Sequence, residues 1–137
     1  MNISSKCEYG ARAILELARQ AIDAKPVAAV QIAEAQGIPE KYLVHILLQL
    51  KHAGLVQSVR GAHGGYRLAK TADQISLRDI VLAIDGSSLD PLPVKDEAAQ
   101  ALKNAWRQAG SAIDDLLAAT TISDIMDDDS DTNMYYI

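Results

Sequence analysis

The sequence predicts a mainly α-helical chain in which one β-hairpin interrupts a run of helices and a long helix closes the fold. Three observations predict it. Apolar residues recur at spacings of three and four through most of residues 7–84. That period breaks once, over residues 55–69, into two short strand-like runs about a glycine-rich turn. A second, longer helical pattern follows a linker containing two prolines. Composition agrees. Hydrophobic residues make up 49% of the chain, yet Phe is absent and Trp occurs once, so the core is aliphatic and alanine-rich, which favours packed helices over a sandwich of strands.

From Cys7 to about Ile22, apolar residues at Tyr9, Ala13, Ile14, Leu17, Ala18, Ala21 and Ile22 read as one face of a helix, with Ser4 or Ser5 as N-cap. Asp23-Ala24-Lys25-Pro26 is a loop, because a proline disfavours helix in the residue before it. A short helix spans Ala29 to Gln36 and stops at Gly37. Pro39 suits the start of the next helix, Glu40 to Ala53, whose inward residues are Leu43, Ile46, Leu47 and Leu50, and Gly54 closes it. Leu55 to Arg60 and Tyr66 to Ala69 are the strands, with Gly61-Ala62-His63-Gly64-Gly65 between them. Ser76 caps a helix from Leu77 to Ile84 that ends at Asp85-Gly86. Residues 87–94 are a linker. From about Lys95 to Thr120, Leu102, Trp106, Ala109, Ile113, Leu116 and Thr120 step by fours and threes, a heptad seam suited to pairing with another helix. Ile122 to Met126 form a last turn, and the aspartate run from Asp127 is expected to lack fixed structure. The domains are therefore residues 1–86, a linker and pairing helix over 87–126, and an acidic tail over 127–137.

The formal net charge is −5, but its distribution is uneven. Residues 1–70 carry nine lysines and arginines against five acids, whereas residues 71–137 carry four against thirteen. Salt screens charges beyond about 10 Å, so the local field of the front half governs what it meets, and that field suits a polyanion. The N-terminal residues lack the apolar run of a secretion signal, and no stretch is long enough to span a membrane, so a cytoplasmic location is expected. One cysteine forms no intrachain disulfide and no multi-thiolate zinc site. The glycine loop is not followed by the Gly-Lys-Ser/Thr of a phosphate cradle, and neither a metal-protease helix motif nor a nucleophile elbow occurs. An enzyme is not expected.

Short helix, glycine-broken turn, second helix and basic hairpin, in that order, describe a winged helix-turn-helix, whose second helix enters the DNA major groove. Here that helix presents Lys41, Tyr42, Val44, His45, Gln49 and Lys51. Tyr42 and His45 offer hydrogen bonds to base edges or phosphates, Lys41 and Lys51 suit phosphates, and Val44 suits a thymine methyl. Gln31, near the start of the preceding helix, is a candidate phosphate contact. On the hairpin, Arg60, His63 and Arg67 bracket the tip, and the glycines at 61, 64 and 65 would let its backbone pass close to DNA. Each residue has a plainer reading: solvated lysines, a histidine in a turn, glycines needed only for turn geometry. A winged helix used for protein–protein assembly is the competing reading, and a steep fall of DNA affinity with salt separates the two.

The chain resembles the Rrf-two (IscR-like) family of bacterial regulators. The resemblance is carried by Lys6-Cys7-Glu8-Tyr9-Gly10-Ala11-Arg12-Ala13, Ile32-Ala33-Glu34, Gly37-Ile38 and Lys41-Tyr42-Leu43. Most specific are Ala53-Gly54-Leu55-Val56, Ser58-Val59-Arg60-Gly61 and Gly64-Gly65-Tyr66-Arg67-Leu68, followed by Asp79-Ile80-Val81 and Asp85-Gly86. It implies a winged-helix homodimer on a pseudo-palindromic double-stranded operator, and a repressor that blocks a promoter is the expected function. The long helix would be the dimer interface and the arginine at position 60 would enter the minor groove. A glutamate common in some members falls where Val44 stands, so their base preference does not carry over. Many members hold an iron–sulfur cluster through three cysteines between the helix after the wing and the long helix, where this chain has none. Cys7 and Glu8 are what remains for sensing: a cluster shared by Cys7 of both subunits, a redox-active thiol, or a packing residue without a sensing role.

Overall fold

A computed structural model describes residues 2–21, 25–86 and 99–135, the last five as backbone. The first helix, α1, spans Ser5–Gln20, and the chain selects Ser4 as its N-cap: the Ser4 Oγ accepts the Cys7 N–H at 3.0 Å. Ile22, Asp23 and Ala24, expected as helix end and loop, lie outside the described residues. Helix α2 spans Ala29–Gln36 and ends on Gly37 at φ 64°, the left-handed cap expected there. Helix α3 spans Glu40–His52, and its Leu43, Ile46, Leu47 and Leu50 are fully buried. Strands β1 (Val56–Val59) and β2 (Gly65–Leu68) pair antiparallel, with Val56 opposite Leu68 and Val59 opposite Gly65. A 3₁₀ turn over Ala72–Gln74, not anticipated, leads into α4, Leu77–Ile84. The α4 start is a reciprocal capping box: the Asp79 N–H donates to Ser76 Oγ and the Ser76 N–H donates to the Asp79 carboxylate, at 3.1 and 2.9 Å.

The core lies where α1 crosses α2, α3 and α4, and its buried side chains are Ile, Leu, Val, Ala and Cys7. Gly10 sets how closely α1 approaches its neighbours, since a Cβ there would stand 3.3 Å from Ile84 and 3.5 Å from Ile46. This packing turns one side of α3 inward and leaves the opposite side to solvent.

Two C-terminal helices complete the described chain, α5 over Gln100–Ala119 and α6 over Ile122–Tyr135. The linker over residues 87–94 and the expected helix start at Lys95 lie outside the described residues. The aspartate run was expected to lack fixed structure from Asp127, and here the structure corrects the sequence: α6 continues unbroken to Tyr135. Its first turn explains this. Thr121 and Asp124 cap each other reciprocally at 3.0 and 3.1 Å, and Ile122 is buried in the core. Thr120 O accepts from Leu77 N–H and Ile122 N–H donates to Ile75 O, each at 2.9 Å, tying the helix start to the segment entering α4. A helix already nucleated extends through polar residues at little cost per residue. Arg19 then meets Asp129 at 2.6 Å.

Helix α5 packs on α4 through the side that carries buried Gly110 and the half-buried Asp114 and Leu117. The heptad seam lies on a neighbouring stripe. Its Leu102, Trp106 and Leu116 are 58%, 49% and 70% exposed, Ala109 is exposed, and Ile113 and Thr120 are half-buried. Among the described residues no helix is long and apolar enough to cross a membrane.

Candidate nucleic-acid interface

Burial of Leu43, Ile46, Leu47 and Leu50 dictates which α3 residues face outward, because residues three and four apart share a helix side. Opposite the core lies a stripe of Lys41, His45, Leu48 and His52, all exposed, flanked by Tyr42, Val44 and Lys51. Lys41, Tyr42, Val44, His45 and Lys51 are all exposed: Lys41 and His45 lie on the stripe, with Tyr42 on one flank and Val44 and Lys51 on the other. Gln49 is not. It is half-buried, and its Oε1 is buried without a hydrogen-bond partner among the described residues, so its carbonyl end is turned away from any duplex on this face. Leu48 and His52 were missed, although the 41, 45, 48, 52 spacing marks them.

The turn between α2 and α3 is held by backbone hydrogen bonds and one buried side chain. The Ile38 N–H donates to Ala33 O, Ile38 is buried, and Pro39 O accepts from Tyr42 and Leu43. Gln31 is exposed and caps the start of α2, its Oε1 accepting the Ala28 N–H at 3.3 Å. That bond occupies the carbonyl end of the side chain.

The wing is latched to the body. Val27, in the α1–α2 connection, exchanges two 2.8 Å backbone hydrogen bonds with Tyr66 and so adds a one-residue third strand to the hairpin. Gly65 makes the latch possible: at φ 154° a Cβ would lie 2.4 Å from Val27 O. A Cβ on Gly64 would lie 2.2 Å from Val59 O. These two glycines therefore let the backbone approach the protein's own chain, which accounts for them by their plainer reading, chain geometry. Arg60 and His63 are exposed at the tip, and Arg67 is exposed with its Nε donating to Gln57 Oε1 across the strands at 3.3 Å. A concavity of about 470 Å³ joins the tip residues His63 and Gly64 to Gln31 and to Lys25, a cation outside the expected DNA-facing set. Among the described residues, Lys41, Lys51, Arg60 and Arg67 have no carboxylate partner.

The sensor candidates sit elsewhere. Cys7 is 4% exposed on the core side of α1. Burial, reinforced by the negative charges of Asp85 and Glu8, pushes its thiol up to about 11. Asp85 is held beside it by Ser4 Oγ, which lies 2.8 and 2.7 Å from the two carboxylate oxygens. Glu8 is exposed and pairs with Arg12 at 3.0 Å. An iron–sulfur cluster needs several thiolates, but this chain has one cysteine, protonated and facing the core. Among the described residues no three His, Cys, Asp or Glu side chains converge. The donor set does not fit a cluster, and two Cys7 thiols from two copies would meet only if both cores opened. At pH 8 a thiol of this kind is ionised to about one part in a thousand, so Ellman's reagent should label native protein at least tenfold more slowly than urea-unfolded protein. Equal rates would show that Cys7 is accessible.

The comparisons with known proteins agree with this geometry. Residues 3–128 match the family model described as "Rrf2: Iron-dependent Transcriptional regulator". The HTH-type transcriptional regulator CymR of Bacillus subtilis is 33% identical over 140 residues, covering all of both chains. Among solved structures, T. potens IscR aligns with a TM-score of 0.80 at 35% identity, over 99% of this chain and 97% of that one. The structure of B. subtilis CymR, described as the global cysteine regulator of that organism, aligns with a TM-score of 0.78 at 33% identity, over 91% of this chain and 95% of that one.

Proposed function

We propose, from the premise that this chain belongs to the Rrf2 family of transcriptional regulators, that it acts as a homodimeric repressor on a pseudo-palindromic operator. Like the relatives it matches, it is a DNA-binding transcription regulator and not an enzyme. The observation that carries the finer reading is that Lys41, His45 and Lys51 on α3 and Arg60 at the wing tip are all exposed, the lysines and arginine having no carboxylate partner among the described residues. Lysines on phosphates and released counterions supply most of the binding energy, and the α3 side chains and Arg60 supply selectivity. Residues 1–86 hold this surface. The exposed α5 seam supports pairing with a second copy, which would set two recognition helices on half-sites about 34 Å apart. A dimer seated on a promoter represses by excluding polymerase.

Arg60→Ala should weaken specific binding by roughly 1–3 kcal/mol, or about 5- to 150-fold in Kd, the range for a good base contact. Gel-shift titration reads this directly, and unchanged affinity would remove Arg60 from the interface. The same titrations at rising salt should show a steep fall in affinity; a flat response would favour the protein-assembly reading. A response to redox or iron–sulfur status, expected from the resemblance, gains no support from buried Cys7. Anaerobically purified protein and its Cys7→Ser variant should both be colourless.

A further inference from the structure

A second cleft, of about 430 Å³, lies at the base of the wing, on the far side of the Val27–Tyr66 latch from the tip. Its volume is in the range of small-molecule sites. Its apolar wall is built from Leu17 of α1, Val27 and Ala72, and its rim carries Lys25, Arg67 and Lys70. Among the described residues lining it there is no carboxylate. Lys25 and Lys70 are exposed and have no ion-pair partner among the described residues.

The backbone adds a directed donor. In an antiparallel ladder the N–H and C=O of successive residues point to opposite sides of the strand. Tyr66 turns both groups toward Val27, and the Ala69 N–H donates to Leu55 O on the other side. Leu68 therefore turns its N–H and C=O to the same side as Tyr66. The latch is one residue long, and among the described residues no loop group bonds to Leu68. Leu68 lines the cleft, and this ladder geometry turns its N–H to the open edge of the hairpin, beyond the one-residue latch.

We propose that this cleft binds a small organic carboxylate. The carboxylate accepts the Leu68 N–H and meets the Lys25 and Lys70 ammonium groups, and an apolar body rests on Leu17, Val27 and Ala72. Resting on the DNA-binding reading above, its consequence is release. An anion here neutralises Lys25 and Arg67 and competes for the Arg67 side chain, so the wing loses positive potential toward DNA. Linkage requires that DNA weaken the carboxylate by the same factor.

The test is titration of the ¹⁵N-labelled full chain with phenylacetate and, separately, with its neutral amide, phenylacetamide. Phenylacetate should give saturable amide shifts centred on Leu68, Lys70 and Thr71, with affinity at least tenfold above that of phenylacetamide and at least fivefold reduced by Lys70→Glu. Equal response to acid and amide, shifts centred on the α5 seam, or no shift at 20 mM probe overturns the site. The acid–amide comparison needs no variant, so it stands even if Lys70→Glu fails to fold. Saturating phenylacetate should weaken operator binding at least threefold; unchanged affinity with the shifts present overturns the release step alone. Failure of the probe-free protein to bind any duplex would instead defeat the DNA-binding reading and leave the cleft measurements intact.

Discussion

Leu116→Lys should yield a folded monomer whose affinity for operator DNA is lower by on the order of a hundredfold or more. Leu116 is 70% exposed in the single chain, and Leu102 and Trp106 lie on the same stripe. A lysine there meets water in the monomer and costs little. In a paired seam it would place a charge in a desolvated apolar layer, at a cost of several kcal/mol. A monomer retains one recognition helix and about half of the phosphate contacts, and affinity falls exponentially with the energy lost. Light scattering after size exclusion reads the mass, thermal unfolding confirms the fold, and gel shift reads the affinity. A variant that remains dimeric would remove the α5 seam from the interface.

Gly65→Ala should unlatch the wing, destabilising the protein by about 2–4 kcal/mol and weakening DNA binding with it. The added Cβ would stand 2.4 Å from Val27 O, 2.5 Å from Val27 C and 2.8 Å from Ala28 N, all backbone atoms that give way only if the connection moves. The φ of 154° adds strain for any residue with a side chain. Gly61→Ala is the comparison. It also has positive φ, at 114°, but nothing lies within 4 Å of its Cβ, so only the local strain of about 1–2 kcal/mol applies. Urea denaturation separates the two, and faster exchange of the Tyr66 amide in Gly65→Ala would locate the damage. Equal stability of the two variants would show that the latch contributes nothing.

Much of the candidate surface was legible because its signals are local. Gly37 and Gly54 bracket α3, its leucine–isoleucine stripe names its buried side, and what remains names the open one. Gln49 was misjudged because the stripe edge is set by the crossing of neighbouring elements, not by spacing within one helix. Leu48 was overlooked because it is apolar, although the same spacing that exposes His45 exposes it.

Read in one dimension, the chain specifies the helices and hairpin up to Gly86, the rim of cations on α3 and the wing, and a heptad stripe near its end. Those properties depend on neighbours within a few residues: caps, glycines and apolar periods. Contacts between distant segments decided the rest. Thr121 and Ile122 anchor an aspartate-rich helix through the segment entering α4, Val27 latches the wing, and the core takes Cys7 inward and keeps it protonated. Burial and long-range hydrogen bonding arise only when segments far apart in the chain meet, so no local pattern encodes them.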